Sequence, residues 1–309
     1  MNMEQSLSEY IVSSRTDEGV LPEGFKLPER TKENGLPFAD GAMDGITIYH
    51  MGPTPLTEKE KKELGKLLDL AGKGAEKEAE KGFLKFCGQH RALMIIDDLH
   101  YYIASHADTL NPGKMYEFAV HLLLESKDKE CVKVGLSILE LFDAYDNEAL
   151  ADVIRIVGLS DEFTIFTVFN MRNWPGAEEE ILELAKRVRG WGRIHCIDFI
   201  DAENEETKEW LFFHGVENNV MSAYSAWPVY EKSNVEEYLR KDALTYEEVH
   251  ALLALTDALL DEGPVSGISR MENPKDFLEK VLEKTKGGYS FTEQEQRTIN
   301  DIREWEPAE

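Results

Sequence analysis

Apolar residues recur three and four positions apart through most of this chain, and polar caps stand in front of many of the segments that carry them. Ser6 and Glu9 form the two halves of a capping box ahead of Leu7, Tyr10 and Ile11. Thr57 and Glu60 stand likewise before Leu64, Leu67 and Leu68, and Thr245 and Glu248 before Val249, Leu252, Leu253 and Leu260. Asn111-Pro112 and Asn273-Pro274 each set an N-cap residue before a proline suited to the first helical position. Between about residues 111 and 262 the helical segments come in pairs. Met115, Phe118, Ala119, Leu122 and Leu123 share one face of the first member, and a segment apolar nearly all round follows from Cys131 through Leu139 to Phe142. Second members begin near residues 129, 160, 192 and 218, a spacing of roughly 25 to 32 residues, within the general range of solenoid repeats.

A lone helix pair cannot cover its apolar face, whereas stacked pairs share a continuous core. The predicted fold is therefore all-α, an α-α superhelix of HEAT/ARM-like helix pairs. Residues 163–169, FTIFTVF, have the β-branched and aromatic content of a strand. Ser160 as N-cap, Asp161 and Glu162 in the first turn, and the repeat phase predict a helix there instead. The first 55 residues differ, since Gly, Pro and Asp punctuate them and only Ile46 to Met51 alternates like a strand. They are expected to form an irregular segment, with at most a short hairpin, packed on the helices. Residues 72–82, GKGAEKEAEKG, read as a mobile, solvated helix end or loop. The organisation expected is an irregular segment over 1–55, a helical repeat domain over 56–262, and two amphipathic helices over 263–309 that continue the same domain.

Charge narrows the partners. Sixty acidic residues against 34 basic ones leave a formal charge of −26, which repels nucleic acid and anionic membrane surfaces. Cys87, Cys131 and Cys196 form no CxxC pair, which fits a reducing compartment better than a disulfide framework or a thiolate zinc site. With no basic n-region and no long apolar run, neither an export signal nor a membrane span is expected, and the expected location is the cytoplasm.

The densest group of chemistry-bearing residues is Asp40-Gly41-Ala42-Met43-Asp44-Gly45, followed by Tyr49 and His50. Two Asp-Gly steps suit tight turns, and Asp40, Asp44 and His50 are also weak candidates for a divalent cation, although their spacing is not that of an EF-hand. Asp97 with His100, Glu117 with His121, and Glu247 with His250 fall three or four apart and share helix faces. Of these, Glu247 and His250 have the Glu-x-x-His spacing of a carboxylate-bridged metal site, against ordinary helix-surface pairing. Trp191-Gly192-Arg193-Ile194-His195 marks a junction between helices where Trp191 can pack across the seam. Arg193 and His195 interrupt an apolar run, as does Arg155 between Ile154 and Ile156, and a half-buried charge needs a partner. Tyr49, Arg155, Trp191, Arg193 and His195 are accordingly candidate binding residues. No dinucleotide fingerprint, phosphate loop, HExxH or GxSxG occurs, and Phe86-Cys87-Gly88 lacks the surroundings of a thiolate haem ligand. No cofactor is evident and no catalytic residue stands out.

The segments FADGAMDGITIYHMG, YEFAVHLLLES, ECVKVGLSILELFD, VGLSDEFTIF, GWGRIH and NNVMSAYSA resemble a family of bacterial, mainly clostridial, proteins commonly named limonene hydroxylase. The resemblance runs from about Glu4 to Ile268 and implies oxidation of a monoterpene with a reduced nicotinamide cofactor, without assigning a catalytic residue. The residues themselves lead first to a non-catalytic helical-repeat protein that binds a protein, peptide or small ligand on a concave surface. A regulatory or immunity protein that masks a basic partner is the third reading the charge admits.

Overall fold

A computed structural model of the chain describes residues 5–28, 38–52 and 54–306. Among these residues every regular element is helical and no strand forms. The chain divides into two compact units, Met1–Gly192 and Arg193–Glu309. The division falls inside the stretch 56–262 expected to be one repeat domain, at the Trp191-Gly192-Arg193 junction.

The first unit holds α1 (Leu7–Ser14), α2 (Ala42–Ile46), a π-helical turn (Thr47–Met51), α3 (Glu58–Gly72), α4 (Glu76–Phe86), α5 (Ala92–Ser105), α6 (Pro112–Glu125), α7 (Lys129–Leu139), α8 (Glu148–Val157), α9 (Thr164–Met171) and α10 (Ala177–Arg187). Its hub is α7, which packs on α4, α5, α6 and α9. Every residue of α7 from Cys131 to Leu139 is buried, as a segment apolar nearly all round requires. The stripe of Met115, Phe118, Ala119, Leu122 and Leu123 on α6 is buried in the same unit, and Phe83 of α4 meets Phe118 with ring centroids 5.9 Å apart.

Helix α11 (Trp191–Phe199) opens at the division, and the second unit adds α12 (Glu205–His214), α13 (Ala223–Lys232), α14 (Val235–Arg240), α15 (Tyr246–Leu260), α16 (Pro274–Lys284) and α17 (Glu293–Glu304). Here α15 is the hub, against α12, α13, α16 and α17. No helix among the described residues is long and apolar enough to cross a membrane.

The helix starts follow the caps. The boxes at Ser6, Thr57 and Thr245 all form with both hydrogen bonds, and the Asn111 carboxamide accepts the Lys114 amide at 3.0 Å. Asn273 makes no side-chain cap, although Pro274 opens α16. The segment FTIFTVF is helical from Thr164, as expected, but its start is different. Ser160 is not the N-cap: its carbonyl accepts the Phe163 amide at 2.8 Å, closing a turn, and the helix begins only at Thr164. Asp161 and Glu162 therefore lie on a turn and are free to point away from the helix axis.

Two further expectations are corrected. Ile46 to Met51 is helical, and the alternation there reflects exposure of Ile48 and Met51 beside the buried Thr47, whose hydroxyl donates to the Met43 carbonyl at 2.8 Å. With no strand among the described residues to pair with, local hydrogen bonds satisfy this backbone. Much of 72–82, expected as a solvated helix end or loop, is the first half of helix α4, because Ala79, Phe83 and Phe86 form a narrow buried stripe under a charged exterior. Ala79→Asp should lower stability by about 2–4 kcal/mol in urea denaturation, whereas Lys77→Asp, on the exposed side, should change it by less than about 0.5 kcal/mol.

Candidate functional site

Helix α7 begins with Asp128 as its cap, the carboxylate accepting the Cys131 amide at 3.1 Å. One turn of helix then sets Lys129 and Lys133 on the same side, with Glu130 beside them. Lys133 sits in the middle of the apolar run CVKVGLSIL and is fully buried. Its ammonium donates to Asp44 Oδ2 at 2.6 Å, to Glu162 Oε1 at 2.5 Å and to Glu130 Oε1 at 3.0 Å, and it lies 5.7 Å from the centre of the Phe166 ring. Three carboxylates from three elements thus converge on one cation.

The N-terminal segment answers α7 in register. Asp40 and Asp44 are four residues apart, as are Lys129 and Lys133, and the pairs Asp40–Lys129 (2.7 Å) and Asp44–Lys133 (2.6 Å) are both separated by 89 positions. Arg91, at the start of α5, adds a second cation: its Nε and Nη2 donate to Asp44 Oδ1 at 3.1 and 3.0 Å, and its Nη2 lies 3.4 Å from Glu130 Oε1. Main-chain amides use the remaining lone pairs, Leu27 donating to Asp40 at 2.9 Å, Ala92 to Glu130 at 2.6 Å and Gly41 to Glu162 at 3.0 Å. Gly41 has φ of 77°, and a Cβ there would stand 2.4 Å from the Asp161 carbonyl oxygen; one on Gly45 would stand 2.2 Å from the Trp191 ring. Only glycine lets this segment approach so closely.

Burial and charge act against each other here. Burial would raise the carboxyls of Asp44 and Glu162, but Lys133, helped by Arg91 at the first and Lys129 at the second, outweighs it and holds both below the usual range. Burial would likewise lower Lys133, and Glu130, Glu162 and Asp44 raise it instead. Asp161 has no such cation among the described residues. Burial pushes its carboxyl up to about 6, reinforced by the Asp40 and Glu162 carboxylates, while the amides of Gly192 and Gly190 pull the other way. Burial and neighbouring acids also raise the thiols of Cys87 and Cys131, which keeps both protonated.

The remaining candidates are best described by the contacts each of them makes. His50 is exposed on the π-helical turn, while Tyr49 packs on Trp191 with ring centroids 6.0 Å apart. Asp40 and Asp44 face lysine and arginine cations, and no cluster of three potential metal ligands occurs among the described residues. Arg155 reaches an acid on another helix, Glu180 on α10, at 2.5 and 2.8 Å, and lies over the Trp174 ring. In the second unit, Arg193 donates to the His214 carbonyl at 3.0 Å and covers the Trp210 ring at 4.9 Å, while His195 is fully buried. Glu247 is exposed, and His250 turns instead to Glu295 on α17. His100 and His121 similarly find partners on other helices, the Ser137 carbonyl and Glu80. Sequence reasoning missed Arg91, Lys129, Glu130, Lys133, Asp161 and Glu162. The signal for Lys133 was present, since a charge inside an all-round apolar helix must be matched.

Removing the central cation leaves buried acids facing one another, so Lys133→Met should cost about 3–5 kcal/mol in chemical denaturation. The pH dependence has a definite sign. Asp161 binds a proton more tightly folded than unfolded, so its burden on stability is present above its folded pKa of about 6 and is relieved as pH falls through it. Asp44 and Glu162 act oppositely, but only below the ordinary carboxylate range. Stability should therefore rise by about 1 kcal/mol between about pH 7.5 and 5.5, fall again below about pH 4, and lose the rise in Asp161→Asn.

Compared with protein-family models, with curated proteins and with solved structures, the chain matches none of them.

Proposed function

We propose that the chain is a non-catalytic binding protein, a HEAT-like stack of helix pairs that recognises a basic protein or peptide. The observation that carries this reading is the disposition of charge. The four acids and three bases that converge on α7 nearly cancel inside the first unit, while the chain as a whole keeps a formal charge of −26. A field of that sign draws in cationic partners and repels polyanions, and its effect on association weakens with salt. Consecutive packed pairs, α3 with α4, α6 with α7 and α8 with α9, support the repeat reading.

The test pairs a binding measurement with an activity measurement. Calorimetric titration with a Lys/Arg-rich peptide should give saturable binding that weakens at least about tenfold between about 0.05 and 0.5 M salt, and a Glu-rich peptide should not bind. In parallel, limonene with NADH should give no hydroxylated product above buffer. Stoichiometric NADH consumption with hydroxylated limonene would overturn the proposal in favour of the oxidoreductase that the resemblance implies, as would equal affinity for the two peptides.

A further inference from the structure

Residues 38–52 are attached to the first unit in a manner unlike its other helices. Three of their large apolar side chains face outward, Phe38 at 57% exposed, Met51 at 63% and Ile48 at 38%, and Met43, Ile46 and Tyr49 are half-buried. Ala42 is their only contribution to the buried apolar core, with Tyr49 set against Trp191. What holds the segment is charge and main-chain polarity: Asp40 on Lys129 and the Leu27 amide, Gly41 on Glu162, and Asp44 on Lys133 and Arg91. Elements with few buried apolar contacts are those that open below the cost of global unfolding.

Under the segment lies Asp161. The Cα of Gly41 approaches its carbonyl oxygen so closely that a Cβ would stand 2.4 Å away, and the carboxylate accepts the Gly192 amide at 3.0 Å and the Gly190 amide. The charged groups around it are Asp40 from the covering segment, Glu162 from its own turn, and Lys129 from α7, which is bound to Asp40 at 2.7 Å and lies 3.8 Å from Glu162. Lys133 stands behind Glu162, and at the start of α11 the Gly192 amide donates to Asp161. Placing the segment over this turn brings a further carboxylate, Asp40, towards one that has no cation of its own.

We propose that residues 38–52 are a strap that opens from the helical body of the first unit as a single element, with Asp161 as its proton-sensitive catch. Closure adds the Asp40 charge and further burial to Asp161, so the closed strap takes up a proton and the open strap releases it. Rising pH through the range near 6 favours opening, which bares Arg91, Lys129 and Lys133. The inference is independent of what the chain binds.

Hydrogen exchange on the full-length protein tests it, with amides 41–52 compared against those of α7 and rates corrected for the intrinsic pH dependence. The strap should exchange well before α7, and its protection should fall by up to about tenfold from about pH 5 to 7.5, while that of α7 does not fall in step. In Asp161→Asn the pH dependence should vanish. Should that variant fail to fold, Asp40→Asn removes the neighbouring charge and should move the midpoint to lower pH. A strap that exchanges only together with α7, or whose protection is indifferent to pH, overturns the proposal. So does pH dependence that survives in Asp161→Asn or an unmoved midpoint in Asp40→Asn.

Discussion

A lysine with no access to water governs the first unit. Moving an ammonium group out of water costs several kcal/mol, so the chain around Lys133 must supply anions at hydrogen-bonding distance. Two distant stretches and the helix itself do so: Asp44 comes from the N-terminal segment, Glu162 from the turn between α8 and α9, and Glu130 from one turn away on α7. Each brings its own requirement. Glu162 can point inward only because the chain turns at Ser160 before α9 begins, and Asp44 can arrive only because glycines flank it. Arg91 and Lys129 then balance carboxylates that a single ammonium does not. Such networks return little net stability, since desolvation offsets most of the attraction, but they penalise every arrangement in which one member is missing.

Much of the fold was legible in the sequence because helix caps and apolar stripes are local signals. Ser6, Thr57 and Thr245 mark true starts, and Asn111-Pro112 opens α6. Local signals fail where tertiary context decides. In α4 the buried stripe is as narrow as Ala79, Phe83 and Phe86, and the charge density around it reads as a solvated loop. In α2 the five residues carry almost no apolar periodicity, since the Lys133 cluster and the Trp191 ring shape them.

The candidate site was half legible. Asp40 and Asp44 stand out because Asp-Gly steps are conspicuous, yet their lysine partners lie 89 positions away on a helix whose apolar residues dominate its reading. Histidines misled in a related way: a carboxylate three or four residues distant is visible in sequence, whereas His250 turns to Glu295 and His121 to Glu80 across packed helices. Arg155 was readable because a half-buried guanidinium between Ile154 and Ile156 calls for an acid, which Glu180 on α10 supplies beside Asp152 on its own helix.

The equal offset of the two aspartate–lysine pairs has a consequence for how the N-terminal segment can sit. A slide along α7 by one helical turn would bring Asp44 opposite Lys129 and strand the Lys133 ammonium without it, so intermediate positions gain nothing and the seating is all-or-none. The two rungs behave as a vernier: each spacing alone is common on a helix, but their coincidence selects a single alignment. The match itself is therefore indifferent to added residues in the loops between Asp44 and Lys129 and intolerant of them in the four-residue steps at either end, because only those steps carry its measure.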